Sequence, residues 1–231
     1  MKILIINPNT TVSMTTKVVN VAKTVARPTT EIIGETSKNG PTSIQGYLDA
    51  ATCVPGLLDA VQRHPEANGI VIACFDDTGL DAVRSLVTVP VIGIGEAAFH
   101  AASLLSNKFS VITTLSRSVP GLENNLIKYG LAAKCVGVRA TDIPVLKLEE
   151  QDPGSMRIIR DQIEQALTID HAEAIVLGCA GMANLMRELS AEFSCPVIDG
   201  VVTAVGFVEA LVSCNLKTSK RGAYLVTDTS H

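Results

Sequence analysis

Ile70-Val71-Ile72-Ala73-Cys74 and Ile175-Val176-Leu177-Gly178-Cys179 are short apolar runs that each end on a cysteine, and their likeness decides the fold. Continuous apolar, β-branched runs of this length read as strands buried on both faces. Each is followed by a helical stretch and then by a second strand, Pro90-Val91-Ile92-Gly93 in one case and Pro196-Val197-Ile198-Asp199 in the other. Cys74 and Pro90 are 16 positions apart and Cys179 and Pro196 are 17, so one insertion brings the stretches into line. Upstream, Leu4-Ile5-Ile6-Asn7 is set beside Val111-Ile112-Thr113-Thr114. The chain reads as a duplicated unit related by a pseudo-twofold axis.

Working outward, strands are expected at Lys2 to Asn7, Thr30 to Glu35, Gly69 to Cys74, Val89 to Gly93, Phe109 to Thr113, Lys134 to Arg139, Ala174 to Gly178 and Pro196 to Asp199. Helical patterns alternate with them. The first starts after Asn9 or Thr10 and carries Val18, Val19, Ala22, Val25 and Ala26; another follows Asp152 with Ile158, Ile159, Ile163, Ala166 and Leu167. Such alternation predicts an α/β fold of two pseudo-symmetric lobes, each a mostly parallel four-stranded sheet flanked by helices, with a site in the cleft between them. The expected lobes are residues 1–106 and 107–216, with the polar tail 217–231 packing back on the first and adding a closing strand.

Composition narrows the function. The 231 residues are 47% hydrophobic and 18% charged, enough apolar surface to fold, with a formal net charge of −4. Three Tyr, five Phe and no Trp, without a block of Lys or Arg, give nucleic acid neither a basic stripe nor a stacking platform. No apolar stretch reaches the roughly 18 residues of a bilayer span, and Met1 to Thr10 has no signal-peptide pattern. A soluble, cytoplasmic protein is expected. Six cysteines without a Cys-x-x-Cys pair and four scattered histidines argue against a disulfide framework and against zinc. Gly93-Ile94-Gly95 lacks the companions of a phosphate loop.

In open parallel sheets, ligands gather beyond the carboxyl ends of the strands. The candidate binding residues there are Asn7 and Asn9, Ser43, Phe75, Asp76 and Asp77, Thr113, Thr114 and Ser116, Ala180 and Gly181. Cys53, Cys135, Cys195 and Cys214 read as small core residues. Cys74 and Cys179 stand at the same repeat position, after a strand and before a helix whose N-terminus would stabilise a thiolate. Thiols approaching one guest from opposite lobes suit removal of a proton from one face of a carbon and its return to the other. Asn7 and Asn9 serve equally as loop and cap residues around Pro8, and Asp76 or Asp77 as a helix cap.

These motifs resemble the aspartate/glutamate/hydantoin racemases, and within them the hydantoin branch. The resemblance is carried by Ile5-Ile6-Asn7-Pro8-Asn9-Thr10, Val71 to Leu80, Val91-Ile92-Gly93-Ile94-Gly95-Glu96-Ala97-Ala98, Ile175 to Met182 and Pro196 to Gly200. Thr78 departs from it, since that branch often has Pro there. The resemblance implies a two-lobed fold, cofactor-independent 1,1-proton transfer with no metal, Cys74 and Cys179 as paired acid and base, and a homo-oligomer. One thiolate would remove the ring-carbon hydrogen and the other thiol reprotonate the enolate, with the Phe75 and Ala180 amides, Asn7, Asn9, Thr114 and Ser116 as donors to the developing oxyanion.

Charge separates the substrate classes. A free amino acid needs a cation for its carboxylate, and the strand-end loops hold only Arg117 beside Asp76 and Asp77; a neutral cyclic amide fits better. Allantoin, or aspartate or glutamate, is the alternative within the same chemistry. A cysteine hydrolase built on Cys179 lacks a base histidine nearby, His171 and His231 being its only candidates. A non-catalytic two-lobe binding protein leaves the paired thiols without a role.

Overall fold

The computed structural model describes residues 1–149 and 152–225. Its first sheet joins β1 (Lys2–Asn7), β2 (Glu31–Thr36), β3 (Gly69–Ile72) and β4 (Val91–Gly93) in the order β2-β1-β3-β4, all parallel. The second repeats the order with β5 (Phe109–Thr113), β6 (Cys135–Ala140), β7 (Ala174–Gly178) and β8 (Val197–Asp199) as β6-β5-β7-β8. These are the eight strands expected, with ends displaced by no more than two residues. β3 stops at Ile72, and the Ala73 amide still donates to the Ile6 carbonyl before the chain turns away at Cys74.

Strand register corrects the repeat alignment. Ile3 pairs with Gly69 and Phe109 with Ala174, and Gly69 and Ala174 are equivalent, so Ile3 corresponds to Phe109 and Asn7 to Thr113. The sequence pairing of Asn7 with Thr114 is one residue out. A slip of one residue reverses the faces of a strand. In the observed register Ile3, Ile5, Phe109 and Val111 share the central core, while Leu4 and Ile6 face the outer core of the first lobe and Ile112 that of the second.

The outer faces are covered by α2 (Tyr47–Gln62) and α3 (Leu80–Leu86) on the first sheet and by α6 (Pro153–Thr168) and α7 (Met186–Phe193) on the second. Asp152 caps α6 by accepting from the Gly154 and Ser155 amides, and Pro153 opens it. This helix buries Ile159, Ile163 and Ala166 and leaves Ile158 outside. Between the sheets lie α1 (Val12–Lys23), α4 (Ile94–Leu105), α5 (Val119–Lys128) and α8 (Gly200–Ser213). Asn9 does not cap α1 at its start; its Oδ1 accepts from the Thr11 amide at 2.9 Å, and Val12 is the first helical residue.

The helices that end the two halves are exchanged. α4 follows β4 yet packs on β7 and β8, and α8 follows β8 yet packs on β3 and β4. Ala97, Ala98, Ala101 and Ala102 of α4 and Val201, Ala204, Val205 and Val208 of α8 therefore belong to one core filled from both sheets. Small residues on α4 let α8 approach closely. The tail runs along the first lobe: the Thr218 amide and hydroxyl donate to the Thr88 and Val89 carbonyls, Lys220 to those of Arg84 and Ser85, and the Tyr224 hydroxyl to Asp81. Its described part forms a 3-10 turn, Gly222–Tyr224, and no strand; 226–231 lie outside the described residues.

The N-termini of α4 and α8 meet at Gly200, where a Cβ would stand 2.3 Å from the Ile94 carbonyl oxygen. Gly206, one helical stretch further along α8, has no atom within 4 Å of its Cβ position. Gly200→Ala is expected to destabilise the protein by about 1–3 kcal/mol through overpacking. Gly206→Ala should be neutral or stabilise it by up to about 1 kcal/mol through helix propensity. Urea-unfolding midpoints of the two variants check the contrast.

Candidate active site

The loops that leave β3 and β7 bring Cys74 and Cys179 to the wall of one cavity, with empty space of about 420 Å³. Phe75, Asp76 and Ala180 come with them from the same loops. Asn9 joins from the end of β1, and Thr113 and Thr114 from the end of β5. Neither cysteine stands at the start of an α-helix. A single 3-10 turn, Ala180–Met182, follows Cys179, and α3 begins six residues after Cys74 behind the left-handed Gly79. The helix-dipole argument for a depressed thiol therefore gives way to a smaller one. Each sulfur is served by the amide two residues on, Gly181 N–H at 3.3 Å from Cys179 Sγ and Asp76 N–H toward Cys74. Phe75 and Ala180, whose amides are expected as donors to an oxyanion, both line the cavity.

Burial outweighs those amides. It pushes the Cys74 thiol well above its ordinary range and the Cys179 thiol up to about 11. The negative charge of Asp76 opposes ionisation of both sulfurs. Scarce water around the Asp76 carboxyl raises it to about 6. On the Cys179 side, Lys17 of α1 donates to the Gly181 carbonyl, and its charge favours the thiolate.

Several residues expected to touch a guest do something else. Asp77 sits in a left-handed turn (φ 51°) with its carboxylate aimed at the start of α4, where it accepts from Gly95 N–H at 3.0 Å and Glu96 N–H at 2.7 Å. The Tyr129 hydroxyl donates to it at 2.8 Å from the other lobe. It caps a helix, though α4 rather than the α3 that follows it, and it lies off the cavity wall. A Cβ on Gly93 would fall 2.0 Å from Asp77 Oδ1, which explains a glycine there. Asn7 is buried behind the cavity, donating to Asn9 Oδ1, the Thr11 carbonyl and the Thr15 hydroxyl, so that it orients Asn9. Ser116 is turned outward onto Asp142 at 2.8 Å, and Ser118, at the far end of the same 3-10 turn, takes the wall position. Ser43 accepts from Gln45 Nε2 at 3.0 Å, and its neighbour Ile44 lines the cavity. Gly181 acts through its backbone alone, and the Thr113 hydroxyl donates to the Gly178 carbonyl at 3.2 Å.

Met14, Ser118, Val145 and Lys17 were not singled out in the sequence. Met14 and Lys17 are three apart on α1 and so share one face, a spacing that marks the pair once that helix is known to border the cleft. A second chamber, with empty space of about 690 Å³, adjoins the cavity and shares Asp76 and Ser118 with it. Tyr47, Thr78, Gly121 and Asn124 line it, with Arg117, whose Nη2 donates to Gln45 Oε1 at 2.6 Å across the cleft. Among the described residues no group of three His, Cys, Asp or Glu is placed to hold a metal, and no helix is long and apolar enough to cross a membrane.

Comparison with known proteins agrees with this architecture. The sequence profile of the family described as Asp/Glu/Hydantoin racemase matches residues 3–208. A hydantoin racemase of Rhizobium meliloti is 46% identical over 227 residues, covering 97% of this chain and 94% of the relative. The solved structure of an allantoin racemase from Klebsiella pneumoniae superposes with a TM-score of 0.96 at 41% identity, covering 99% of this chain and 94% of that one. An allantoin racemase from Pseudomonas fluorescens gives 0.96 at 38% identity, covering 100% and 99%.

Three carboxyls short of water set the response to pH. Burial raises Asp76 to about 6, Asp77 to about 7 and Asp199, which caps α8 through the Val202 amide, to about 6. Each binds its proton more tightly in the folded than in the unfolded chain. Their contribution to stability is therefore complete below about pH 4 and is lost as the pH rises toward 7. Glu35, Asp81 and Asp170 are shifted the other way, and their contribution is already complete by about pH 5. The urea-unfolding free energy is expected to fall between pH 5 and pH 8, by on the order of 1 kcal/mol per raised group. Asp76→Asn should flatten that slope.

Proposed function

This chain belongs to the Asp/Glu/hydantoin racemase family, a family of isomerases, and on that premise we propose that it interconverts the D and L forms of 5-monosubstituted hydantoins by passing a proton between Cys74 and Cys179 without a cofactor. The observation that carries the proposal is the opening of both thiols, from equivalent places in the two half-chains, on one cavity. One sulfur, as thiolate, takes the hydrogen from the stereogenic ring carbon, and the C–H electron pair passes into the adjacent carbonyl as an enolate. The opposite thiol then delivers its proton to the other face of that carbon and is left as the thiolate. The opposite enantiomer uses the same groups in reverse.

Burial that raises the thiols keeps them poor acids, matching them to a carbon acid that is itself weak. The cavity wall includes no Lys or Arg among the described residues and does include Asp76, which favours a neutral ring with N–H groups over an amino-acid carboxylate. Asn9, whose Oδ1 is taken up by the Asn7 side chain and the Thr11 amide, has among the described residues only the Met14 sulfur, at 3.5 Å, as a partner for its Nδ2 and is the side-chain donor best placed for a ring carbonyl. The adjoining chamber is the seat of the ring substituent. Its Arg117, Asn124, Thr78 and Asp76 favour a substituent that both donates and accepts hydrogen bonds, such as the ureido group of allantoin, and this is the second reading of the substrate.

Incubation with one enantiomer of a 5-substituted hydantoin in deuterated water should abolish optical rotation while deuterium enters the ring carbon. Cys74→Ala and Cys179→Ala should each lower inversion by at least about 100-fold. Ring opening, or full inversion in either variant, would exclude the mechanism. The chamber is tested at Gly121, where a side chain meets open space: Gly121→Leu should lower the ratio of kcat/KM for 5-ureido- or 5-benzylhydantoin over 5-methylhydantoin by about tenfold. An unchanged ratio places the substituent elsewhere.

A further inference from the structure

The leading helix of each half reaches across the cleft to the cysteine loop of the other half. Lys17, on α1, donates from its ammonium to the Gly181 carbonyl, and Asn125, on α5, donates from Nδ2 to the Asp76 carbonyl at 2.9 Å. Gly181 and Asp76 hold the same place in the repeat, two residues past their cysteines, and theirs are the amides directed at the two sulfurs. A contact at the carbonyl of that residue, one peptide past the amide directed at the sulfur, anchors the residue that carries that amide. The two contacts reach the same repeat position and differ in charge. Lys17 brings a cation to the Cys179 side, and Asn125 brings none to the Cys74 side. Asp76 carries a carboxyl where Gly181 has only hydrogen. Among the described residues, the groups whose charge Cys179 feels are Lys17 and Asp76; those around Cys74 are Asp76, the Cys53 thiol of α2 and the Thr78 hydroxyl at 3.8 Å.

We propose that Lys17 and Asn125 are matched positioning residues for the two thiols, and that the charge of Lys17 makes Cys179 the proton acceptor of the resting protein and Cys74 the donor. The inference rests on the two-thiol reading of the site. The enantiomer that turns its hydrogen toward Cys179 then meets the resting form. Its C–H bond breaks toward Cys179 Sγ, the electron pair enters the ring carbonyl, and the Cys74 S–H proton goes to the opposite face, leaving Cys74 as the thiolate. The other enantiomer reacts only with molecules in which the thiol proton has been redistributed.

The test is alkylation by iodoacetamide as a function of pH, with each cysteine followed by peptide mass spectrometry. Alkylation needs no turnover, so the charge assignment is read whether or not any ring carbon exchanges. In the unsubstituted protein Cys179 should titrate below Cys74. Lys17→Met should raise the Cys179 midpoint by about one unit, a tenfold loss of its alkylation rate at neutral pH, and leave the Cys74 midpoint in place. Lys17→Arg should restore the Cys179 midpoint, and Asn125→Lys should lower that of Cys74 toward it. A Cys74 midpoint at or below that of Cys179, or a Lys17→Met effect that is absent or equal at both cysteines, overturns the proposal.

Discussion

The carboxylate of Asp77 ties three parts of the molecule together. It rides on the loop that presents Cys74, accepts both amides at the start of α4, and takes a hydrogen bond from Tyr129 in the second half of the chain. A buried acceptor with three donors leaves the loop little freedom, since any shift would strand polar groups away from water. Gly93 and Gly95 are the other side of the same constraint, because the carboxylate and the Phe75 carbonyl occupy the space their side chains would need. Glu96, next along α4, is held by Arg84, which also donates to the Val91 carbonyl, so the contact extends into the outer layer of the first lobe.

Around that fixed point the duplicated halves are close copies in backbone and unlike copies in charge. The parallel order β2-β1-β3-β4 is repeated strand for strand, and the sulfurs leave equivalent strand ends. The proposed reaction, which treats two mirror-image molecules alike, draws on the first property. The proposed division of the thiols into acceptor and donor draws on the second. Asp76 against Gly181 and Asn125 against Lys17 are where the copies part, and both lie within two peptides of a sulfur or touch one that does.

The strands were legible because a buried parallel strand has to be apolar throughout, and Ile70-Val71-Ile72 or Ile175-Val176-Leu177 admit little else. The cysteines were legible from their shared place in the repeat. What escaped the sequence was contact between distant segments. Asp77 looked like a substrate carboxylate because nothing local announces an acceptor for amides eighteen residues ahead. Ser118 escaped notice because only the 3-10 turn decides which of the serines at 116 and 118 faces inward. Lys17 sits on an ordinary surface helix until the fold lays that helix against the loop of the other half. The pairing of Asn7 with Thr114 failed by one position because in runs such as Leu4-Ile5-Ile6 both faces are apolar, and alternation carries no information about register.

The exchange of α4 and α8 between the sheets bears on how such a chain acquires its shape. Ala97, Ala98, Ala101 and Ala102 bury themselves beside strands made from residues far later in the sequence, and Val205 and Val208 beside strands made first. Neither half, cut free at residue 106, could cover its own terminal helix. Synthesis from the amino end leaves the alanine face of α4 waiting for the second sheet, and melting of either half strips the cover from the other. Such reciprocal wrapping couples the two into one cooperative unit, so that the strand ends from which the thiols emerge keep their spacing as long as the shared core holds.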